Sequence, residues 1–352
     1  MKSYLFDDTN WKNRDFLAAR SSSNESLASQ YAALEQSWWE QRHWGITVFM
    51  QTLLAAQHPF ATSVSHELDQ LKPAIPATAG YEAGQAGQVF TCGGTEIAFD
   101  STGSISHLSR HGTQFADPSH SLMQLKYRSY SAADVAAFLA NYCHSNATWI
   151  QHDYGKPGLP EDVEGKIWRP ALKSLSVKPA VVESIYSGCS FVLETAFDPV
   201  ASSEYGAAAG WTTVDVDSES GDVSVAINMF NKSATRIPEA MFVQMLPTPA
   251  VGRGSWSVNK LGAHINATEV VNGGAKHLHG ITRQPALSVT SAGGQRMSVS
   301  ALDAAVLNFG ELTAYPSPVL TEPDTDRFGA SFLLWDNLWG ALCISRLTMP
   351  MH

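Results

Sequence analysis

No run of roughly 18 uncharged apolar residues occurs in this sequence, so nothing in it reads as a bilayer-spanning helix. A secretory leader is not legible either. Met1-Lys-Ser-Tyr-Leu-Phe-Asp-Asp8 places two acids where the apolar stretch should be, and with Met1 as the start this predicts a cytoplasmic protein. Positive charge is scarce: Lys plus Arg number 23 against 33 for Asp plus Glu, a net charge of −10. Without a basic stripe, neither nucleic acid nor an anionic membrane is expected as a partner, and a neutral substrate fits better. The four cysteines (Cys92, Cys143, Cys189, Cys343) form no CxxC pair. That argues against a zinc ribbon and predicts buried free thiols. The motifs GxSxG, GxGxxG, the P-loop and HExxH are all missing; His66-Glu67 lacks the second histidine. Acyl transfer, nucleotide binding and zincin proteolysis lose support together.

What the sequence does hold is a change of period. Hydrophobic residues make up 44% of the chain and charged residues 16%, enough for a buried core in about two domains. Before the Pro/Ala/Gly stretch from Pro73 to Gly87, apolar residues recur at helical spacing. After it they recur mostly every second residue, interrupted by Gly, Asn, Asp and Ser.

The first part predicts a small helical bundle over residues 1–75. Ser22-Ser23-Asn24-Glu25 reads as a capping box, and Leu27, Tyr31, Leu34 and Trp38 follow on one helical face. Helices are also expected from Ile46 to Ala56 and from Pro59 to Lys72. Pro59 suits a first turn, where its missing N–H costs nothing. Residues 76–87 read as a linker. Residues 88–352 read as strands: a hairpin turning at Asp100–Gly103, and another whose arms carry Val214 and Val216, then Val223, Val225 and Ile227. Similar runs lie at Leu122–Tyr127, Ala180–Phe197, Ala240–Leu246, Trp256–Leu261, Leu287–Ser291 and Gln295–Leu307, with one helix at Ala132–Asn141. So many strands predict a large two-sheet sandwich.

Chemistry-bearing candidates are few. In Lys276-His-Leu-His-Gly280, His277 and His279 would share one strand face, spaced to grip a sugar hydroxyl or to begin a metal site. No third ligand sits at a diagnostic spacing, so no metal is expected. The simpler reading is two solvated histidines on a polar face. Trp335 and Trp339 flank Asp336 and Asn337 in a segment suited to stack on a sugar ring. Asp303 and the pair Asp7-Asp8 are candidate carboxylates for glycoside chemistry, with solvated or capping roles as the default. Four Asn-x-Ser/Thr sequons, at Asn24, Asn146, Asn231 and Asn266, decide little in a chain this rich in Ser and Thr.

Several stretches together resemble the back half of glycoside hydrolase family 38, the α-mannosidases. They are Tyr4–Trp11, Glu35–Arg42, Asp153–Gly158, Asn228–Ala240, Lys276–His279, Ser300–Ala304 and Asp336–Gly340. The resemblance implies a mainly β fold: a large mutarotase-like β-supersandwich preceded by a small helical bundle. It further implies retaining hydrolysis of α-mannosides in the intact enzymes. The family's zinc ligands and nucleophile belong to a preceding barrel that no stretch here matches, so zinc is expected only with that barrel. On this reading the chain is carbohydrate-active but not catalytic alone, with His277, His279, Asp303, Asp336, Asn337 and Trp339 as sugar contacts. Self-association through a former barrel-facing surface is also expected. The alternatives are a non-catalytic carbohydrate-binding or interaction module and a mutarotase-like epimerase.

Overall fold

A computed structural model describes residues 45–70, 74–140, 159, 161–178, 188–230, 232, 235, 237–267, 278–282, 285–312 and 323–338. The Ser22 capping box, the stripe from Leu27 to Trp38, Asp7, Asp8, His277 and Trp339 lie outside them. The two expected helices that can be seen are there, as residues 45–55 and Ala61–Gln70. No described helix is long and apolar enough to cross a membrane.

The rest is mainly β. Nineteen strands, numbered in chain order, form four antiparallel sheets among the described residues rather than the two expected. One is β2 (Phe90–Cys92), β3 (Thr95–Phe99), β4 (Ile105–Arg110) and β5 (Thr113–Ala116) in sequence order. A five-stranded sheet runs β1 (Glu82–Ala83), β8 (Ala171–Lys178), β9 (Gly188–Ala196), β10 (Gly210–Asp217), β11 (Val223–Met229). Another four-stranded sheet runs β14 (Ala263–Asn266), β13 (Ser255–Lys260), β16 (Leu287–Thr290), β17 (Arg296–Val299). The six-stranded sheet runs β15 (Leu278–Gly280), β18 (Val306–Phe309), β19 (Ala330–Asp336), β12 (Glu239–Met245), β6 (Gln124–Ser129), β7 (Lys166–Trp168).

Both expected hairpins form. Val214 pairs with Val225 and Val216 with Val223, so the alternating valines meet across β10 and β11. At the other, Asp100 Oδ1 accepts from the backbone N–H groups of Thr102 (2.7 Å) and Ser104 (3.1 Å), and Gly103 turns the chain at φ +80. The Asp100 carboxylate closes the turn, and Gly103 takes the positive φ without steric cost.

Within the residues read as a linker, Glu82 and Ala83 pair with Val177 and Ser176, and Gly84 N–H donates to the Leu175 carbonyl at 2.8 Å. One sequence reading is corrected. Cys92 and Cys189 are not free thiols but a disulfide joining β2 to β9. A sequence separation of 97 residues hides that pair from any spacing rule.

The main core fills the space between sheets. Phe191 of β9 packs edge-on against Phe90 (5.3 Å between centroids) and Phe99 (5.1 Å), beside the disulfide. The six-stranded sheet buries both faces. One contributes Tyr127, Met241, Val243 and Trp335 to the main core; the other carries Phe242 and Leu333 into a second cluster with Val135 and Phe138 of the helix Ala132–Phe138. Central strands covered on both sides lose alternation, and every residue of β12 is buried.

Candidate functional site

The Asn228–Ala240 stretch leads into β12 and supplies the least expected feature of the molecule, a buried ion pair. Glu239 opens β12 and is 2% exposed. Its Oε1 accepts from Lys232 Nζ at 2.8 Å and from Thr235 Oγ1 at 2.9 Å. Its Oε2 accepts from the Tyr127 hydroxyl at 2.5 Å. A carboxylate out of water survives only with such a full complement of donors. Tyr127 lies on the neighbouring strand β6, where Ser129 stands opposite Glu239, so the two side chains are diagonal neighbours on one face. Burial first, then the charge and hydrogen bond of Glu239, push the Tyr127 pKa well above its usual value, and the phenol stays protonated. Lys232 also sits 4.9 Å from the centre of the Trp335 ring, which in turn packs on Tyr127.

The same phenol lies 2.5 Å from the carbonyl oxygen of Tyr205, and this contact connects the buried pair to the surface. Tyr205 forms part of a cleft of about 390 Å³, together with Trp168, Val200, Lys166 and the carboxylates of Asp162, Glu164, Asp198 and Glu204. Trp168 and Tyr205 make the buried inner wall, their rings 5.0 Å apart. The arrangement is local in origin. Trp168 on edge strand β7 pairs with Tyr127, and its indole N–H donates to Ser129 Oγ at 3.2 Å. Asp198 caps the short helix Pro199–Ser203 by accepting from Ala201 N–H at 2.9 Å, which sets Tyr205 just beyond the helix end. Lys166 Nζ rests 4.0 Å from the centre of the Trp168 ring and 3.8 Å from Glu164 Oε2. The four carboxylates can accept hydrogen bonds from hydroxyl groups and the Lys166 ammonium can donate them, in front of a wall built on the buried Trp168 and Tyr205.

The residues singled out from sequence fare differently. Asn337 joins the buried network. Its Nδ2 donates to the carbonyls of Thr235 (2.9 Å) and Ile237 (3.3 Å), and its N–H to the Glu239 carbonyl (2.7 Å). Its amide is therefore spent on holding the segment that presents Glu239. Asp336, half-buried at the end of β19, accepts from Leu338 N–H at 3.4 Å. Trp335 is 8% exposed, a core side chain and not a sugar platform. His279 is 2% exposed and meets Phe309 edge-on at 5.6 Å, so it is neither a surface sugar contact nor a solvated histidine. Its strand pairs with β18, whose Leu307 and Phe309 are buried, and the histidine is drawn in with them. Asp303 is exposed in the loop between β17 and β18. The structure thus gathers Asn337 into a site but not His279 or Asp303. It adds Tyr127, Trp168, Tyr205, Lys232 and Glu239, for which no short-range sequence signal exists. Among the described residues no group of three His, Cys, Asp or Glu is placed to hold a metal ion, so zinc finds no fitting donor set there.

Residues 1–210 match the family described as domain of unknown function (DUF5054). The chain belongs to the DUF5054 family. The match covers the cleft residues from Asp162 to Tyr205 and the strand that bears Tyr127, whereas Lys232 and Glu239 lie beyond it. No curated protein matches the sequence.

Proposed function

We propose that this DUF5054 chain is the carbohydrate-binding β module of a glycoside hydrolase family 38-like, α-mannosidase-like protein, and that it holds a neutral sugar without cleaving it. The observation that carries this reading is the cleft in front of Trp168 and Tyr205, where four carboxylates and the Lys166 ammonium converge as polyhydroxyl recognition requires. The helices-then-strands order and the mainly β, antiparallel architecture support the β-rich fold that the family resemblance implies. The buried Lys232–Glu239 pair has a positioning role: through Tyr127 it fixes the backbone at Tyr205 behind the cleft wall. Zinc-assisted hydrolysis has no ligand cluster among the described residues to draw on. An epimerase would need a histidine acid converging with a carboxylate, and His279 is enclosed against Phe309 instead. The Cys92–Cys189 bond supports work in an oxidising compartment, in place of the cytoplasmic one expected from the sequence.

Calorimetry of the full chain against mannose, α-linked mannobiose and a panel of other mono- and oligosaccharides tests the proposal. Saturable binding that weakens in Glu204→Gln is expected; silence across the panel would overturn it. A chromogenic α-mannoside with added zinc should stay intact. Robust turnover would sink the non-catalytic part of the reading.

A further inference from the structure

The face of the six-stranded sheet opposite the cleft carries a different charge. Side chains two apart on a strand, and side chains directly opposite on paired strands, share a face. Lys126 and Arg128 are two apart on β6, and Arg128 stands opposite Ile167 of β7. Continuing that register one step past Trp168 sets Arg169 opposite Lys126. Three cations therefore occupy one edge of a sheet in a chain whose net charge is −10.

Among the described residues their counter-charges are few. Lys126 is 7% exposed, and its ammonium donates to Gln244 Oε1, a neutral acceptor whose own Nε2 is committed to the Phe328 carbonyl at 2.6 Å. Burial, and then the charge of Arg169, pull the Lys126 pKa down to about 8. Arg128 lies over the Tyr130 ring at 4.9 Å and reaches Asp134 Oδ1 only at 3.8 Å. The other oxygen of Asp134 is engaged by the backbone N–H and hydroxyl of Ser131. The Nε–H of Arg128 is buried and has no acceptor among the described residues. A buried donor left unmade and a buried ammonium left unpaired are both costly, and proteins retain them where something else completes them. Arg169 is exposed and leaves an approach from solvent.

We propose that Lys126, Arg128 and Arg169 form a binding site for a phosphate-type oxyanion, on the sheet face opposite the sugar cleft. A tetrahedral oxyanion accepts several charge-assisted hydrogen bonds at once. It would give the Arg128 Nε–H its acceptor and the Lys126 ammonium its counter-ion. The ligand is free phosphate or the phosphoryl group of a phosphorylated sugar or other metabolite.

The test is calorimetry of the full chain, in low-salt buffer without phosphate or sulfate, with inorganic phosphate, sulfate and glucose 6-phosphate against glucose as the uncharged control. Saturable binding of the phosphates and none of glucose at this site is expected. Arg169→Gln, at an exposed position, should keep the fold and weaken binding roughly ten- to a hundredfold, the loss of one charge-assisted contact. Lys126→Met should weaken it as much or more. A second readout is acetylation of Lys126 followed by peptide mass, which bound phosphate should slow. Equal affinity for phosphate and the ester points to the free ion, and tighter ester binding to a phosphorylated metabolite. No saturable binding of either, or wild-type affinity in Arg169→Gln, overturns the site. Sugar binding in the cleft is read separately and is untouched by that failure.

Discussion

The hydroxyl of Tyr127 lies 2.5 Å from Glu239 Oε2 and equally 2.5 Å from the carbonyl oxygen of Tyr205. A phenol has one proton, so a carboxylate inside the core and a backbone oxygen behind the cleft draw on the same donor. Deleting the carboxylate's charge is the sharper perturbation. Glu239→Gln leaves the Lys232 ammonium, 6% exposed, without its counter-ion, and removal of one partner from a buried pair costs about 3–5 kcal/mol. Tyr127→Phe removes only the hydroxyl and should cost about 1–3 kcal/mol. Urea unfolding of the two variants measures both. A Glu239→Gln protein as stable as the wild type would show that the pair is not needed to hold this face.

Lys126 makes stability depend on pH in an unusual direction. The unfolded chain keeps the Lys126 proton up to the ordinary lysine value of 10.5, the folded chain only to about 8. Between those values the unfolded state binds more protons, so stability rises with pH. The penalty is fully present below pH 8 and is on the order of 3 kcal/mol. Tyr127 acts with the opposite sign as pH passes the ordinary tyrosine range, because the folded chain keeps its proton longer. The informative window is therefore about pH 8–10, taken as the difference between wild type and Lys126→Met in oxyanion-free buffer. Lys126→Met leaves Gln244 Oε1 short of a donor, an offset that does not vary with pH. The wild type should gain on the variant across the window. Parallel curves would mean that Lys126 stays an ordinary ammonium.

Ser131 and Asp134 cap the helix Ala132–Phe138 reciprocally. Asp134 N–H donates to Ser131 Oγ at 3.2 Å, and Ser131 N–H donates to Asp134 Oδ2 at 2.7 Å. That helix lays Val135 and Phe138 on the Phe242–Leu333 cluster. Ser131→Ala should cost about 1 kcal/mol, read as a lowered midpoint in thermal unfolding. An unchanged midpoint would assign the helix's stability to its apolar contacts alone.

These elements differ in how far the sequence announces them. The valines of β10 and β11 alternate because one side of that hairpin is buried and the other is not, and the spacing alone was enough to pair them. In β19 both sides are covered, so Ala330–Asp336 shows no alternation, and a core residue, Trp335, reads from sequence as a platform. The site is harder still. Glu239 takes its donors from Tyr127, Lys232 and Thr235, and the cleft joins residues from Asp162 to Tyr205; no short motif contains either set. Of the residues around Glu239, Asn337 is a candidate from sequence, as a polar group in a segment suited to stack on a sugar ring. Its role is backbone support for the Glu239 segment rather than ligand contact.

The Cys92–Cys189 bond is a covalent tie that no local spacing announces. It closes a loop between residues separated by 97 positions and fastens the β2–β3 hairpin to β9, where Phe90 and Phe99 already pack on Phe191. In the chain-entropy account a loop of that length stabilises the fold by about 4–5 kcal/mol, through the states it denies to the unfolded chain. The Cys92→Ser/Cys189→Ser protein should therefore lose about that much in urea unfolding. Its denaturant slope should also rise, since the uncrosslinked unfolded chain exposes more surface. Wild type in reductant should behave like the double variant. Loss of packing around Phe191 alone would lower stability with the slope unchanged, so the two sources separate. A thiol count on denatured, unreduced protein decides whether the bond forms: two fewer reactive cysteines than after reduction is the expected result, and an equal count would remove the disulfide together with the oxidising-compartment reading built on it.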